Sequence, residues 1–275
     1  MRTVARAAFP QPNLVFCRLG DPTAVKARAP RRIDPGAVTW VVSFGLPSPG
    51  PEEWRADIAR ARSGLGPHQL LIVSVAGTPV PGGDADQLAE DYARCARWAA
   101  DAGADVVEVH LSCPNTTGEH PQMVFENPPV AALVVERVRR AVGGRPTIAK
   151  LGASQNPRAL HELATRLAPW LDGFILVNGL QRPVVKEDGS AALPGAGRDV
   201  AGISGAAVYG HCRIQVEELL AWRKAGAWNR VVLTVGGITT VERARAALAA
   251  GADAAMVATA ALTDPLIAAR YRLGR

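Results

Sequence analysis

Residues 102–111, AGADVVEVHL, contain the two signals that decide the fold. Gly103 follows a helical stretch as a C-terminal glycine, and Val106–Leu111 is a short apolar run of the kind that forms a buried strand. The same AGAD sequence returns at residues 250–253, before the apolar run Ala254–Ala258. Because apolar strands alternate here with helical stretches, the sequence predicts a parallel sheet covered by helices.

This alternation extends from residue 70 towards the end of the chain. Apolar, β-branched runs predict strands at Leu70–Ala76, Val106–Leu111, Thr147–Leu151, Gly173–Val177, Val231–Val235 and Ala254–Ala258. Helical periodicity fills the intervals at Ala85–Ala102, Pro129–Val142, Arg158–Ala168, Gln215–Ala225 and Val241–Ala250. This many regular units in 275 residues favours a TIM (β/α)8 barrel over a doubly wound sheet, as one domain over residues 1–275.

The part of the chain before residue 70 is less regular. Leu14–Leu19 and Ala37–Phe44 have the composition of strands, but the prolines between them disfavour a helix. A helix is predicted to begin near Glu52 and to end near Gly64. Leu180–Ser204 is rich in glycine and proline and is therefore predicted to be a long loop over one mouth of the barrel.

Composition excludes several classes of protein. Hydrophobic residues make up 48% of the chain, but no apolar run approaches the ~18 residues that span a bilayer. Four unevenly spaced cysteines without a CxxC pair argue against a disulfide framework and a zinc ribbon, so no metal is expected. The net charge of +6 comes from scattered arginines, which fit solvated faces and an anionic small ligand better than a nucleic-acid groove. We expect a cytoplasmic protein with no membrane or nucleic-acid partner.

Cys113 is the candidate catalytic residue. It follows the strand Val106–Leu111, at the carboxyl end where barrel enzymes place their active sites. A thiol at this position, beside an amide and a glycine-containing loop, can act as a base or a nucleophile when its surroundings favour the thiolate. The alternative is a buried, inert cysteine.

The segment SCPN at residues 112–115 resembles the dihydroorotate dehydrogenase family, in particular its class 1 members with a cysteine base. Other segments resemble this family in the same order along the chain: SFGLP (43–47), VSVAG (73–77), TIAKLG (147–152), FILVNG (174–179), AGISG (201–205), TVGGI (234–238) and VATAAL (257–262). The resemblance implies an FMN-containing (β/α)8 barrel that oxidises a dihydropyrimidine.

Two groups of residues acquire roles from this resemblance. Those that would bind FMN are the strand-end lysine and the phosphate-binding loops: Lys150, Ser204, Gly205, Gly236, Gly237 and Thr259. Glycines after the last strands of such barrels let backbone N–H groups approach a phosphate. Those that would bind the substrate are His110, Asn115 and Asn178, since asparagine suits the carbonyl and N–H edges of a pyrimidine.

The chain departs from the family at three places. His110 and Val42 stand where the family has asparagines, so two amides that would bind an orotate-like ring are absent. Cys17 stands where the family has a lysine, because LVFCRLG matches the family's second strand and the first strand is missing. The first βα unit is therefore incomplete or atypical, and an open barrel would have two unpaired edges. A homodimer interface is one way to cover them.

Three functions remain open from the sequence. The first is an FMN-dependent dehydrogenase acting on CH–CH groups of a pyrimidine-like or other small cyclic substrate. The second is flavin-independent acid–base or nucleophilic chemistry in a specialised pathway. The third is a non-catalytic barrel that serves as a partner subunit.

Replacing Cys113 with alanine tests its predicted role. A positioned acid–base group contributes about 100-fold or more to turnover, so Cys113→Ala should lower kcat by at least about 100-fold. Its thermal melting should match that of the unmodified protein. A loss of kcat below about threefold would contradict the role.

Overall fold

The computed structural model describes residues 14–43, 46, 48–112, 123–154, 156–193, 199–226 and 228–274. The described residues of Gly45–Leu151 and Arg158–Phe174 form one compact unit. Those of Ala7–Phe44, Gly152–Pro157 and Ile175–Arg275 form a second. The two are called the first and the second unit below.

Strands and helices alternate along most of the described chain. In chain order they are β1 (Leu14–Arg18), β2 (Ala24–Lys26), β3 (Thr39–Val42), α1 (Pro51–Ser63), β4 (Ile72–Val75), α2 (Ala85–Asp101), β5 (Val106–His110), α3 (Pro128–Ala141), β6 (Thr147–Lys150), α4 (Pro157–Leu167), β7 (Gly173–Leu176), β8 (Leu180–Val185), β9 (Val200–Gly205), α5 (Tyr209–Lys224), β10 (Val231–Thr234), α6 (Val241–Ala249), β11 (Ala254–Ala255), α7 (Thr259–Thr263) and α8 (Ile267–Arg272). Short 3₁₀ helices lie at Val124–Glu126, Ala168–Trp170 and Ala206–Val208.

The first unit contains a parallel sheet in which β5 lies between β4 and β6. Helix α2 begins at a capping box, in which the Asp84 carboxylate accepts the Gln87 N–H at 2.8 Å. Its buried residues recur at helical spacing: Ala89, Tyr92, Ala93, Ala96, Ala99 and Ala100. The predicted parallel, helix-covered sheet is confirmed in this unit, and the α/β class is confirmed with it.

Three aspartates lie directly before β-strands that follow a helix in the chain. They are Asp105 before β5, Asp172 before β7 and Asp253 before β11. We call them the strand-start aspartates. Each is joined by hydrogen bonds to the beginning of the strand that precedes it in the chain.

Asp172 shows the arrangement. Its Oδ2 accepts the backbone N–H of Thr147, the first residue of β6, at 2.8 Å. The same oxygen accepts Nη1 of Arg139, from α3, at 2.8 Å. One carboxylate thus holds the beginning of β7, the beginning of β6 and helix α3, which precedes β6, in a fixed relation.

Asp105 and Asp253 repeat this arrangement. Asp105 accepts the N–H of Leu71 at 2.8 Å, and Asp253 accepts the N–H of Val232 at 2.7 Å. Each also pairs with an arginine of the helix before that strand. The aspartates of both AGAD sequences therefore have a structural role that the glycine signal alone did not reveal.

The second unit contains a small closed barrel of five strands in the order β1-β2-β8-β9-β3. In it β1 pairs antiparallel with β3, and β3 pairs antiparallel with β9. Strands are found as predicted before residue 43, as β1 and β3, but these strands lie in this small barrel and pair antiparallel with each other. Within the same unit, β10 and β11 form a parallel pair.

The prediction of a loop over Leu180–Ser204 was wrong. This segment contains β8 and β9, which pair antiparallel with Leu180 opposite Ile203. Side chains of β9 alternate between exposed and buried positions, and Ala201 and Ile203 are completely buried. Four glycines and two prolines in this segment obscured this alternation in the sequence, although a short strand in a small barrel tolerates both residue types.

The helix predicted at Gln215–Ala225 begins earlier than expected. Helix α5 begins at Tyr209 and directly continues the 3₁₀ turn Ala206–Val208. The glycine at position 210 and the lack of a side-chain cap concealed this start.

Replacing Asp172 with alanine tests the strand-start interaction. The Thr147 backbone N–H, which is fully buried, would lose its acceptor, at a cost of about 1–3 kcal/mol of unfolding free energy. Asp172→Asn keeps an acceptor oxygen and should lose less. Urea unfolding of both variants and of the exposed control Asp101→Ala measures the difference. Equal losses for Asp172→Ala and Asp101→Ala would contradict the interaction.

Candidate functional site

Four polar side chains meet on one face of the parallel sheet in the first unit. Opposite residues in paired strands face the same side, and the register places Ser74 opposite Glu108 and His110 opposite Lys150. Lys150 Nζ lies 2.7 Å from Glu108 Oε1. Ser74 Oγ donates to the same oxygen at 2.6 Å. We call these four residues the strand-end cluster.

Glu108 is the centre of this cluster. Its side chain is only 3% exposed, and one of its oxygens accepts from both an ammonium and a hydroxyl group. A buried carboxylate with these two partners compensates the charge of Lys150, whose side chain is 18% exposed. Glu108 is a site residue that was not predicted from the sequence. Its signal was a single acidic residue inside the apolar run VVEVH.

His110 is buried beside this ion pair. Its side chain is 8% exposed, and its Nδ1 lies 3.9 Å from Glu108 Oε1, which is too long for a hydrogen bond. Within the described part of the chain, Nδ1 has no hydrogen-bond partner. Burial, together with the charge of Lys150, lowers the pKa of His110 from 6.5 to about 3. The imidazole is therefore neutral at physiological pH, as a donor and acceptor of hydrogen bonds rather than a cation.

A second candidate site lies in the second unit. Its cavity of about 40 Å³ is lined by Asn178, Gly179, Ser204, Gly205, Val208, Val235, Gly236, Gly237, Ile238, Thr239, Met256, Ala258 and Thr259. We call it the glycine cavity. It brings together Ser204, Gly205, Gly236, Gly237 and Thr259, the five loop residues predicted from sequence to hold a phosphate. Asn178, predicted to bind substrate, lines the same cavity.

The backbone of the glycine cavity requires glycine at two positions. A Cβ on Gly205, where φ is +100°, would lie 2.3 Å from the Val38 carbonyl oxygen. A Cβ on Gly237, where φ is +74°, would lie 2.4 Å from the Tyr209 nitrogen. Among the residues that the structure describes, the N–H groups of Gly236 and Gly237 have no acceptor. Two backbone N–H groups and two hydroxyl-bearing residues, Ser204 and Thr259, form a donor set that fits a phosphate.

Arg243, on α6, holds the loops around this cavity in place. Its Nη1 donates to the carbonyl of Gly237 at 2.9 Å and to Thr239 Oγ1 at 2.9 Å. Its Nη2 donates to the carbonyl of Gly36 at 3.1 Å. The guanidinium also lies 4.7 Å from the centre of the Tyr209 ring. One side chain thus joins the loop after β10 to the segment before β3, a role that no sequence signal indicated.

Two predicted site residues, Cys113 and Asn115, lie outside the described residues. Cys17, which stands where the family has a lysine, is buried in β1, and burial raises the pKa of its thiol to about 12. It is therefore a neutral thiol and does not replace the missing cation. Val42, which stands where the family has an asparagine, lies opposite Gly202 in the small barrel.

The known proteins that this chain resembles belong to one family. The family model described as dihydroorotate dehydrogenase matches residues 26–272. A dihydroorotate dehydrogenase of Dictyostelium discoideum is 31% identical over 246 residues, which cover 88% of this chain and 65% of the relative. The catalytic subunit of dihydroorotate dehydrogenase B (NAD(+)) of Listeria innocua is 27% identical over 266 residues, covering 96% of this chain and 76% of the relative.

Solved structures show the same relationship at the level of the fold. The structure of DHODH from Eimeria tenella in complex with ferulenol is similar with a TM-score of 0.66 at 18% identity. The match covers 85% of this chain and 66% of that chain. The chain thus spans about two thirds of the length of the Dictyostelium relative and of the Eimeria structure.

Replacing His110 with glutamine tests its neutral, buried state. Between pH 6.5 and about 3, the unfolded chain binds a proton on His110 that the folded chain does not. The unfolding free energy should therefore fall by about 1.4 kcal/mol for each pH unit as the pH decreases through this window. His110→Gln should lack this part of the pH dependence in urea unfolding at pH 6.5, 5.5 and 4.5.

The exposed histidine His68 provides the matched control. His68→Gln should keep the pH dependence of the unmodified protein. If the stability of His110→Gln falls as steeply as that of His68→Gln, the imidazole of His110 takes up a proton in the folded state and the assignment fails.

Proposed function

The chain belongs to the dihydroorotate dehydrogenase family, and from this premise we propose that it is a flavin-dependent oxidoreductase. It would move a hydride between a pyrimidine-like or other small cyclic substrate and FMN. The name of the Dictyostelium relative, whose matched part spans most of this chain, supports this reaction class. The observation that supports it most directly is the glycine cavity, where the N–H groups of Gly236 and Gly237 have no acceptor among the described residues.

The residues of the glycine cavity fit a phosphate-bearing cofactor. Gly236 and Gly237 would donate backbone N–H groups to the FMN phosphate, and Ser204, Gly205 and Thr259 would complete its binding site. An additional side chain at Gly205 or Gly237 would collide with backbone atoms rather than fill the cavity. FMN, when bound, supplies a centre that accepts or donates a hydride.

The other predicted site residues would bind the substrate and contact the flavin ring. An ammonium group has three protons, so Lys150 keeps two for the flavin while the third faces Glu108. His110 would meet a polar edge of the substrate with a neutral imidazole. Cys113 would remove a proton from a substrate C–H group, and Asn115 and Asn178 would bind the carbonyl and N–H groups of the ring.

We also propose that residues 1–275 form a single FMN-binding TIM barrel domain with an atypical first βα unit. Support comes from the alternation of strands and helices, and from the likeness to the Eimeria structure. No helix in the described ranges is long and apolar enough to cross a membrane. A homodimer in the cytoplasm, without a nucleic-acid partner, remains our expectation for its assembly and location.

Flavin retention tests the proposed function and separates it from its alternatives. The purified protein should be yellow or should become yellow with added FMN, and should bind FMN more tightly than riboflavin, which lacks the phosphate. Arg243→Gln loosens the loops of the glycine cavity and should weaken FMN binding by at least about tenfold, while riboflavin binding changes by less than about twofold. The two affinities are measured by quenching of flavin fluorescence.

Arg245 provides the matched control for Arg243. It is exposed on the same helix, where it lies over the Tyr271 ring and away from the glycine cavity. Arg245→Gln should leave both affinities unchanged. A colourless protein that never takes up added FMN would refute the flavin-dependent function and favour flavin-independent chemistry or a non-catalytic subunit.

A further inference from the structure

A cavity of the first unit lies at the free edge of its parallel sheet. Its volume is about 410 Å³, within the range of about 300–1,000 Å³ typical of small-molecule sites. It is lined by Leu46, Ser48, Trp54, Asp57, Ile58, Val73, Ser74, Val75, Ala76, Cys95 and His110. We call it the edge cleft.

The position of the edge cleft follows from the pairing of β4. This strand pairs with β5, and no other strand of the described chain pairs with its opposite side. Successive side chains of a strand point to opposite faces. Since the consecutive residues 73–76 all line the cleft, the cleft reaches around the unpaired edge of β4 rather than lying on one face.

The lining of the edge cleft suits both the faces and the edge of a planar heterocycle. Trp54, Ile58 and the valines of β4 offer apolar walls to the faces of a ring. Ser48 and the imidazole of His110 offer hydrogen-bonding groups to its edge. A planar heterocycle has apolar faces and polar edges, which match the apolar walls and the polar groups of the cleft. A single ring or a fused pair of rings fits a cavity of about 410 Å³.

The charges of the edge cleft disfavour an anion. Among the described lining residues the charged side chain is Asp57, a carboxylate that pairs with the exposed Arg60. No lysine or arginine is part of this described lining. The nearby ammonium of Lys150 is already paired with Glu108 at 2.7 Å. A bound carboxylate would therefore lose its hydration without gaining an ion pair from the described lining.

His110 supplies the independent observation that points to a ligand. Its side chain is 92% buried and lines the cleft, and its Nδ1 has no hydrogen-bond partner among the described residues. A buried polar atom without a hydrogen-bond partner lowers the free energy of unfolding by about 1–3 kcal/mol relative to one with a partner. The lowered pKa of His110 means that the ligand meets a neutral imidazole.

We propose that the edge cleft binds an uncharged planar heterocycle, with His110 at its polar edge and Trp54 beside its face. The binding itself follows from the cleft. Only the identification of this heterocycle as the substrate rests on the proposed function. The site would then discriminate against ring compounds that bear a carboxylate.

A matched pair of ligands tests the proposal. Orotate is a pyrimidine that bears a carboxylate at ring position 6, and 6-methyluracil has the same ring with an uncharged methyl group there. Calorimetry on the full chain, with FMN loaded and with FMN removed, should give an affinity for 6-methyluracil at least about tenfold higher than for orotate. Equal or tighter binding of orotate, or no binding of 6-methyluracil, would overturn the proposal.

Two variants locate the binding site. His110→Ala should weaken 6-methyluracil binding by about tenfold, the value of one good hydrogen bond, while the exposed control His68→Ala leaves it unchanged. Leu46→Trp places a larger side chain in the cleft and should abolish binding, which provides a second test if His110→Ala fails to fold. Undiminished binding by folded His110→Ala or by Leu46→Trp would place the ligand elsewhere and refute the proposal.

The outcomes for the flavin and for the heterocycle are independent. A protein that takes up no FMN but prefers 6-methyluracil would refute the proposed function and retain the edge cleft. A protein that binds FMN but prefers orotate would retain the proposed function and refute the edge cleft.

Discussion

The hydrogen bonds from strand-start aspartates to the preceding strands are the constraint on which the functional elements depend. Asp172 fixes the beginning of β6, and the end of β6 is Lys150. Asp105 stands directly before β5, whose last residue is His110. Because a strand of four or five residues has no freedom to slip once its start is fixed, the carboxylates at one end determine where the ionisable side chains at the other end meet.

The strand-end cluster shows how the parallel sheet of the first unit holds a largely buried cation beside a partner carboxylate. An unpaired ammonium in this position would be strongly destabilising, but Glu108 compensates its charge and Ser74 satisfies the carboxylate further. The pair as a whole is neutral. The low pKa of the neighbouring His110 imidazole comes first from burial and second from the charge of Lys150. The site is polar without carrying a net charge.

Sequence reasoning identified the residues whose roles depend on local backbone and missed those that depend on distant partners. Gly205 and Gly237 were predictable, because positive φ angles at the ends of strands select glycine and leave a visible pattern. Glu108 was not, since its partner Ser74 lies 34 residues away in the chain. Arg243 was not, since it reaches Gly36, which lies 207 residues away, and nothing local distinguishes it from other helical arginines. The strands β8 and β9 were missed because glycine and proline mark loops more often than strands. The role of Cys113 remains a prediction, supported by its place after an apolar strand in the sequence and by the resemblance.

The small five-stranded barrel has a consequence for how the chain is made. Its first three strands lie before residue 43, whereas β8 and β9, which complete it, end at Gly205. During synthesis β2 and β3 must therefore wait for their partners β8 and β9 while more than one hundred and fifty residues emerge from the ribosome. The β4–β5–β6 sheet has all its strands by residue 150 and can assemble in the meantime. The small barrel would thus close later than the β4–β5–β6 sheet assembles, and a nascent chain stalled before Gly205 would expose the edges of β2 and β3 to chaperones and proteases.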